Sequence, residues 1–441
     1  MGWWFNITLW KRVFIGLFLG VLFGLGVVEL LGPITSETPC TPVMIDGIAQ
    51  PITGSEQVLC STKVIGDIFI RLIRMIVVPL IFFTLTAGIY AMGDPKKLGT
   101  IGIKAFSLYI LTTLFANFIG LGMGLLFRPG EGVDLGGTAP KVLPEALPLG
   151  ERLMNIIPTN PFLAIVETDV LAIIFFSLLF GVGILLAREE GERVGKFFEA
   201  ASESILKVTY LIMEVAPFGV FGLIAFVAGT KGIATFQSIL MLTLAVYVGA
   251  ALLMIFVYGS LVRIVLNLPV LNFFRGILEA QMVAYSTSSS SATLPVTIRA
   301  VSDNLGVAKP VAGSVLPLGS TINMDGTSLY LGIVALFTAQ AFGYPLETYH
   351  YPMIALTAAL VSIGTAGVPS ASLFLLAIVL DVFGVSPEHV AIVVGFIFPF
   401  DRLLDMMRTV VNVTGDAAVA TAVAKWEGEL DEEVFRAKTL G

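Results

Sequence analysis

The sequence predicts an all-α polytopic membrane protein, with eight transmembrane helices and two re-entrant helical hairpins. Three observations carry this. Hydrophobic residues are 56% of the 441 and charged residues only 13%, about half the charged share of a soluble domain. Mean hydropathy over the whole length is +0.93, which leaves too little polar surface to coat a water-soluble particle of this size. The apolar runs are continuous and suit helices of about 20 residues, whereas barrel strands alternate every second residue. A net charge of −7 supplies no basic face for nucleic acid, and the composition excludes disorder and a disulfide scaffold.

Apolar blocks fall at 13–32, 64–93, 99–128, 160–187, 200–229, 235–262, 270–298, 308–342, 350–382 and 388–424. The first follows Lys11 and Arg12 and has no small-residue cleavage site after it, only Glu29-Leu30-Leu31-Gly32-Pro33, so it reads as a retained span. Cys40 and Cys60 share the polar stretch before the second block. Facing an oxidising compartment they could pair; otherwise they are two thiols without a role.

Orientation follows from Lys and Arg. With the N-terminus inside, Lys11, Arg12, Lys96, Lys97, Arg188, Arg193, Lys196, Arg263, Arg299, Lys309, Lys425, Arg436 and Lys438 all lie inside. This works only if 270–298 and 350–382 enter the membrane and return to the same side. The loops around Glu347 and His350 and around Glu388 and His389 are then outside, and neither carries Lys or Arg.

The two returning blocks also share a chemistry. The first contains Ser286-Thr287-Ser288-Ser289-Ser290-Ser291-Ala292-Thr293-Leu294-Pro295, the second Ser362-Ile363-Gly364-Thr365-Ala366-Gly367-Val368-Pro369-Ser370. Small polar residues closing on a proline break a helix, which is tolerated at membrane depth only where backbone lines a protein or water cavity. Each block precedes a span holding charged residues, so 270–342 reads as a weak copy of 350–425. Interrupted segments at corresponding places point to a carrier's binding site; a flexible serine linker would not be flanked by apolar sequence on both sides.

The last block holds Asp401, Asp405, Arg408, Asn412 and Asp416, spaced by four, three, four and four along one helical stripe. A charge at the bilayer centre costs about 3 kcal/mol, and mutual neutralisation rarely repays the desolvation of a buried pair. The stripe therefore faces the interior and carries function: Asp405 suits an ammonium group, Arg408 a carboxylate through two parallel hydrogen bonds. The preceding block contributes Gly319-Ser320-Thr321-Ile322-Asn323-Met324-Asp325-Gly326-Thr327, a broken helix with exposed carbonyls beside a carboxylate, and hard oxygens of this kind fit an alkali cation. Four aspartates (Asp325, Asp401, Asp405, Asp416) against Arg402 and Arg408 leave two negative charges for bound cations to balance.

These motifs, with Thr293-Leu294-Pro295, Asn323–Thr327, Gly364–Pro369 and Asp405–Asp416 in order, resemble those of the glutamate/aspartate transporters, the dicarboxylate/amino acid:cation symporter family. The resemblance covers nearly the whole chain. It implies a glutamate-transporter-like fold of inverted repeats and a homotrimer in the cell membrane, multi-pass, with both termini cytoplasmic. Residues 1–265 would be mainly scaffold and trimerisation spans, with the span near 99–128 also contributing to the core. Residues 266–425 would form a transport core that slides like an elevator, and 426–441 a cytoplasmic tail.

The activity implied is sodium-driven symport of L-aspartate and L-glutamate. Substrate would be held by Ser288, Ser289, Ser290, Met324, Thr327, Gly367, Val368, Ser372, Asp405, Arg408, Thr409 and Asn412. Three sodium sites would use Gly319, Asn323, Asn412 and Asp416; Thr321, Ser362, Ile363 and Thr365; and Tyr109, Thr112, Thr113, Asn323 and Asp325. Sodium is a coupling ion here, not a catalytic cofactor. Proton-coupled members are known, and a C4-dicarboxylate or neutral amino-acid carrier is the alternative; Asp405 argues against a substrate without an amino group, Arg408 against one without a second carboxylate. Where some prokaryotic members carry arginine at the head of the serine run, this chain has Ser288, and Arg402 could supply that charge from the last span.

Other charges read as structural: Asp67, Arg71 and Arg74 in the second span, Glu214 along the scaffold, and Glu427–Glu432 as a solvated acidic end. His350 and His389 read as loop residues. No His-Glu-x-x-His motif and no Ser/His or Cys/His pairing is present, so an intramembrane enzyme is excluded.

Overall fold

The computed structural model describes residues 7, 9–34, 40, 43–45, 48–50, 54–91, 99–133, 154, 157–167, 169–232, 235–363, 365, 367 and 372–437. Helix α1 (Leu9–Leu31) leads into a small antiparallel ribbon, β1 (Val43–Ile45) and β2 (Ile48–Gln50), with Ile45 opposite Ile48. The ribbon lies in the polar stretch between the first two apolar blocks and departs from the all-helical expectation. Cys40 is bonded to Cys60 with the Cα atoms 5.5 Å apart, so of the two alternatives the pair is realised. Helix α2 (Gly54–Ala91) starts well before its apolar block. Glu56 in its first turn complements the helix dipole and Lys63 pairs with Asp67 one turn on at 2.9 Å; hydropathy marks where lipid begins, not where the helix does. Asp67 thus pairs within its own helix, Arg71 is exposed, and the side chain of Arg74 lies outside the described set.

The helices then run α3 (Gly99–Phe127), α4 (Pro161–Glu167), α5 (Val170–Leu186), α6 (Glu189–Met213), α7 (Ala216–Lys231) and α8 (Thr235–Leu252). The last continues as two π-helical segments, Leu253–Tyr258 and Leu261–Val265. One packing group is α1, α2, α5, α6 and α7. Gly16, Gly20 and Gly24 form a stripe on α1 against the α7 backbone at Pro217, Phe221 and Ala225, where any Cβ would collide, the small-residue packing that suits helices in lipid. Phe18, Leu22 and Leu30 of the same helix are exposed. The block at 200–229 is two helices, because Pro217 opens α7 just after the break. Glu214 at that break holds Arg12 of α1 through Nη1 at 2.6 Å and Nη2 at 3.0 Å.

The second group gathers α3 and α8 around the C-terminal half. Helices α9 (Val270–Gly276), α10 (Leu278–Thr287) and α11 (Ser290–Asp303) make the first hairpin. Its arms run antiparallel: Asn304 Nδ2 donates to Gly276 O at 2.8 Å, Arg299 pairs with Glu279, and Thr287 and Thr293 hydroxyls meet near the tip at 3.3 Å. A broken helix follows, α12 (Lys309–Ile322) and α13 (Asp325–Phe342), interrupted at Asn323 and Met324 as the sequence predicts. The second hairpin, α14 (His350–Ile363) and α15 (Ser372–Asp381), precedes α16 (Pro387–Glu427). Residues 325–339 of α13 are all buried, the burial expected of a helix apolar on every side. The span at 235–262 packs on α3, α13 and α16.

One expectation is refined and one corrected. The acidic end is solvent-exposed as expected at Glu429 and Asp431, but it does not hang free: Glu427 pairs with Lys104 at 2.7 Å and Glu432 with Lys425 at 2.8 Å. The segment after α16 folds back along the base of the first hairpin, with Ala308 N donating to Glu429 O (3.0 Å) and Asp431 N to Gly306 O (2.8 Å). Phe435, in α17 (Glu432–Arg436), is buried beneath it. Nor are the histidines loop residues. His350 opens α14 and His389 lies in the first turn of α16; both are buried, and His389 stacks on Phe342 at 4.0 Å with Nδ1 2.8 Å from the Tyr344 hydroxyl. Imidazole carries enough apolar area to serve as packing once its nitrogen is matched, which polarity alone does not disclose.

Candidate functional site

All six charges that the sequence places in mid-membrane are buried: Asp325, Asp401, Asp405, Asp416, Arg402 and Arg408. Arg408 is the largest fully buried side chain. Its Nη1 lies 2.9 Å from Asp401 Oδ1 and its Nη2 donates to Asp405 Oδ1 at 2.7 Å. The guanidinium rests on the Tyr330 ring, 4.1 Å from the centroid, adding a cation–π contact worth about 2 kcal/mol when desolvated. Residues 401, 405 and 408 share one face because α16 runs unbroken through them. α13 begins beside that face: Asn412 Oδ1 accepts from Gly326 N at 2.8 Å, and a Cβ on Gly326 would collide with the Arg408 backbone. The positive end of a helix dipole thus lies next to the arginine, a setting that suits an anion.

The hairpin tips meet at this place. Ser288 ends α10 in the left-handed region (φ 53°), which lets the chain reverse; Ser289 caps α11 by accepting from Ala292 N at 3.1 Å. The Ser289 hydroxyl also donates to Gly367 O at 2.6 Å, joining the two hairpins. Arg402 reaches the first tip, Nη2 donating to Ser286 O and Thr287 O, each at 3.1 Å. It therefore places a positive charge at the head of the serine run. Among the described residues no hydrogen-bond partner meets Ser288 Oγ, Ser372 Oγ, Tyr330 OH, Arg408 Nε or Arg402 Nε and Nη1, all buried. Buried polar atoms are ordinarily matched, so the donors left over among the described residues of both hairpins and the facing turn of α16 suit a polar ligand.

A second constellation is made of oxygen. Asp325 Oδ1 accepts from Thr113 Oγ1 at 2.6 Å; Thr112 Oγ1 donates to Asn323 Oδ1 at 3.3 Å; Asn323 Nδ2 donates to Asp416 Oδ1 at 3.0 Å. Tyr109 lies against Gly319 and Asp416, its hydroxyl donating to Val315 O at 2.9 Å. A Cβ on Gly319 would strike Asp416 and the Tyr109 hydroxyl. Carboxylate, amide and hydroxyl oxygens without sulfur or imidazole are the ligand set of a hard cation.

Of the predicted site residues, the structure joins Tyr109, Thr112, Thr113, Gly319, Asn323, Asp325 and Asp416 in this cluster. Asn412 bridges to the charged cluster and meets Met324 Sδ at 3.1 Å. Thr321, Ile363, Thr365 and Gly367 line a cavity of about 280 Å³ with Ser291 and Pro317. Ser362 is buried apart from that lining, its hydroxyl donating to Ala359 O at 2.8 Å. Ser290, Thr327 and Thr409 are buried in the same core, Thr409 Oγ1 donating to Asp405 O at 2.9 Å. Val368 lies outside the described residues. Sequence reading missed Tyr330 and Tyr258, whose hydroxyl donates to Asp325 Oδ2 at 2.6 Å. Each is an aromatic within an apolar run, without a spacing signal of its own.

Helices built for a membrane, two hairpins that meet, and a buried polar site between them fit a multi-pass membrane transporter. Among the described residues four helices are long and apolar enough to cross a membrane: Lys11–Leu31, Thr100–Phe127, Gln237–Val265 and Lys309–Phe342. The chain belongs to the sodium:dicarboxylate symporter family, whose model matches residues 9–426. It is 34% identical over 426 residues to the proton/sodium-glutamate symport protein of Bacillus subtilis, covering 95% of this chain and 92% of the relative. It is also 34% identical to C4-dicarboxylate transport protein 1 of Bradyrhizobium diazoefficiens, over 85% of this chain and 86% of that one. The proton/glutamate-aspartate symporter of Escherichia coli is 34% identical, over 83% and 86%.

Proposed function

We propose that this symporter carries acidic amino acids, L-aspartate and L-glutamate, driven by the sodium gradient. The observation that supports this best is Asp405 beside Arg408, both buried and opposite in charge, 2.7 Å apart. A substrate carboxylate takes the guanidinium while its ammonium takes the aspartate, so the ligand replaces the internal pair by two external ones. A dicarboxylate without nitrogen would leave Asp405 facing an anion, which weighs against the C4-dicarboxylate activity named for some relatives. The remaining contacts come from Ser288, Ser289, Ser290, Met324, Thr327, Gly367, Val368, Ser372, Thr409 and Asn412.

Sodium at Asp325 and Asp416 offsets the two excess negative charges and holds the break in α12–α13. The second hairpin, near 362–372, closes over the substrate when cations are bound. Homotrimerisation through the group of α1, α2, α5, α6 and α7 fits the elevator reading, with α3, α8 and everything from α9 onward moving as the core. The carrier then lies in the cell membrane with both termini cytoplasmic. Names such as proton/sodium-glutamate symport protein support cation coupling and leave the choice of ion to experiment.

Binding to purified protein in sodium buffer tests the site. L-aspartate and L-glutamate are expected to bind, while succinate, lacking the ammonium, and L-alanine, lacking the second carboxylate, are expected at least 100-fold weaker, about 2.7 kcal/mol. Succinate binding as tightly as aspartate would remove Asp405 from the site.

A further inference from the structure

We propose that Tyr258 is a positioning residue for Asp325, orienting its carboxylate and setting how readily it takes the coupling cation. The inference rests on the reading of Asp325 as a ligand of the coupling cation. Tyr258 is fully buried, and its hydroxyl donates to Asp325 Oδ2 at 2.6 Å while Thr113 donates to Oδ1 at 2.6 Å. Both carboxylate oxygens therefore have a neutral hydroxyl donor.

The backbone is shaped to bring the phenol there. Tyr258 closes the π-helical segment Leu253–Tyr258 of an otherwise regular apolar span. The wider turn shifts the register of the side chains after it, a distortion frequent at functional sites. On the facing helix, Gly415 leaves the room: a Cβ there would sit 2.6 Å from the Tyr258 hydroxyl oxygen and 2.7 Å from Asn323 Nδ2. The phenol is thereby wedged between Asp325 and the Asn323–Asp416 pair, from a span that the sequence assigned no site residue.

A buried carboxylate without donors is costly, and hydrogen bonds to its charged form lower that cost. A cation that claims Oδ2 must share it with the phenol or displace it. Tyr258 thus stabilises the cation-free carrier against the loaded one and weakens cation binding, keeping it reversible.

The test is Tyr258→Phe in the full-length protein, which removes the donor and keeps the ring. Sodium dependence of L-aspartate binding is titrated in wild type and variant, and the aspartate Kd is measured at saturating sodium. The expected result is a threefold to tenfold fall in the sodium concentration giving half-maximal binding, the size of one ordinary hydrogen bond's net contribution, with the saturating-sodium Kd within twofold. An unchanged or raised sodium requirement overturns the proposal; a raised one would make the phenol oxygen a cation ligand. Sodium requirement and saturating Kd moving together would reduce Tyr258 to packing and likewise overturn it. If the variant is lost on purification, sodium activation of uptake in native membrane vesicles must show the same leftward shift. Wild-type binding that ignores sodium would defeat the ion assignment and this inference with it, whereas a sodium-activated wild type with an unshifted variant defeats this inference alone.

Discussion

Asp401 grips Arg408: its Oδ1 lies 2.9 Å from Nη1, and both side chains are sealed from solvent. Because Asp405 holds the other terminal nitrogen, the guanidinium is fixed on one side by a residue that need never let go. The other side is held by the residue that, in the binding mode proposed above, the substrate's ammonium engages. Asp401→Asn should leave Arg408 charged but less constrained. Aspartate affinity should fall about tenfold, or 1.4 kcal/mol, with sodium dependence retained. Isothermal titration at fixed sodium measures this, and an unaltered Kd would make Asp401 a bystander.

Arg408→Cys removes the fully buried guanidinium that pairs with Asp401 and Asp405. Acidic substrates should lose at least 100-fold in affinity, while small neutral amino acids should gain measurable binding. Competition against labelled aspartate and serine reads both sides, and retained aspartate affinity would relocate the carboxylate site.

Asp416→Asn keeps the bond from Asn323 possible but removes a charge from the oxygen cluster. The sodium concentration for half-maximal uptake should rise at least tenfold, by loss of a full ligand charge in a water-poor site. An unchanged sodium activation curve would move the ion elsewhere.

Phe435→Ala should release the C-terminal segment from the first hairpin. Removing a fully buried phenylalanine costs about 3 to 5 kcal/mol in a packed core. Amide exchange at 429–437 and 304–308 should accelerate together. Acceleration confined to 432–437 would show that the bonds from Gly306 and Ala308 do not depend on that anchor.

The balance between what sequence disclosed and what it hid has physical causes. The stripe of Asp401, Asp405, Arg408, Asn412 and Asp416 was legible because charge is costly in lipid and helical spacing is regular. The break at Asn323–Met324 and the turn at Ser288–Ser289 were legible because small polar residues cannot continue an apolar helix at membrane depth. Tyr330 and Tyr258 were not, since an aromatic in an apolar span looks like packing until its hydroxyl or ring face meets a charge. The place of the 235–262 span beside α13 and α16 also escaped, because spans of equal hydropathy carry no address. The fold-back after Gly428 depends on backbone bonds to Gly306 and Ala308 that no side-chain pattern announces.

The most direct measurement is uptake of radiolabelled L-aspartate and L-glutamate into proteoliposomes, under an inward sodium gradient or a proton gradient alone. Accumulation that requires sodium and collapses when the gradient is dissipated is the predicted result, joining the Asp405–Arg408 site to the oxygen cluster. Accumulation driven by protons alone would keep the amino-acid site and contradict the sodium assignment; no accumulation under either gradient, from folded protein, would contradict both.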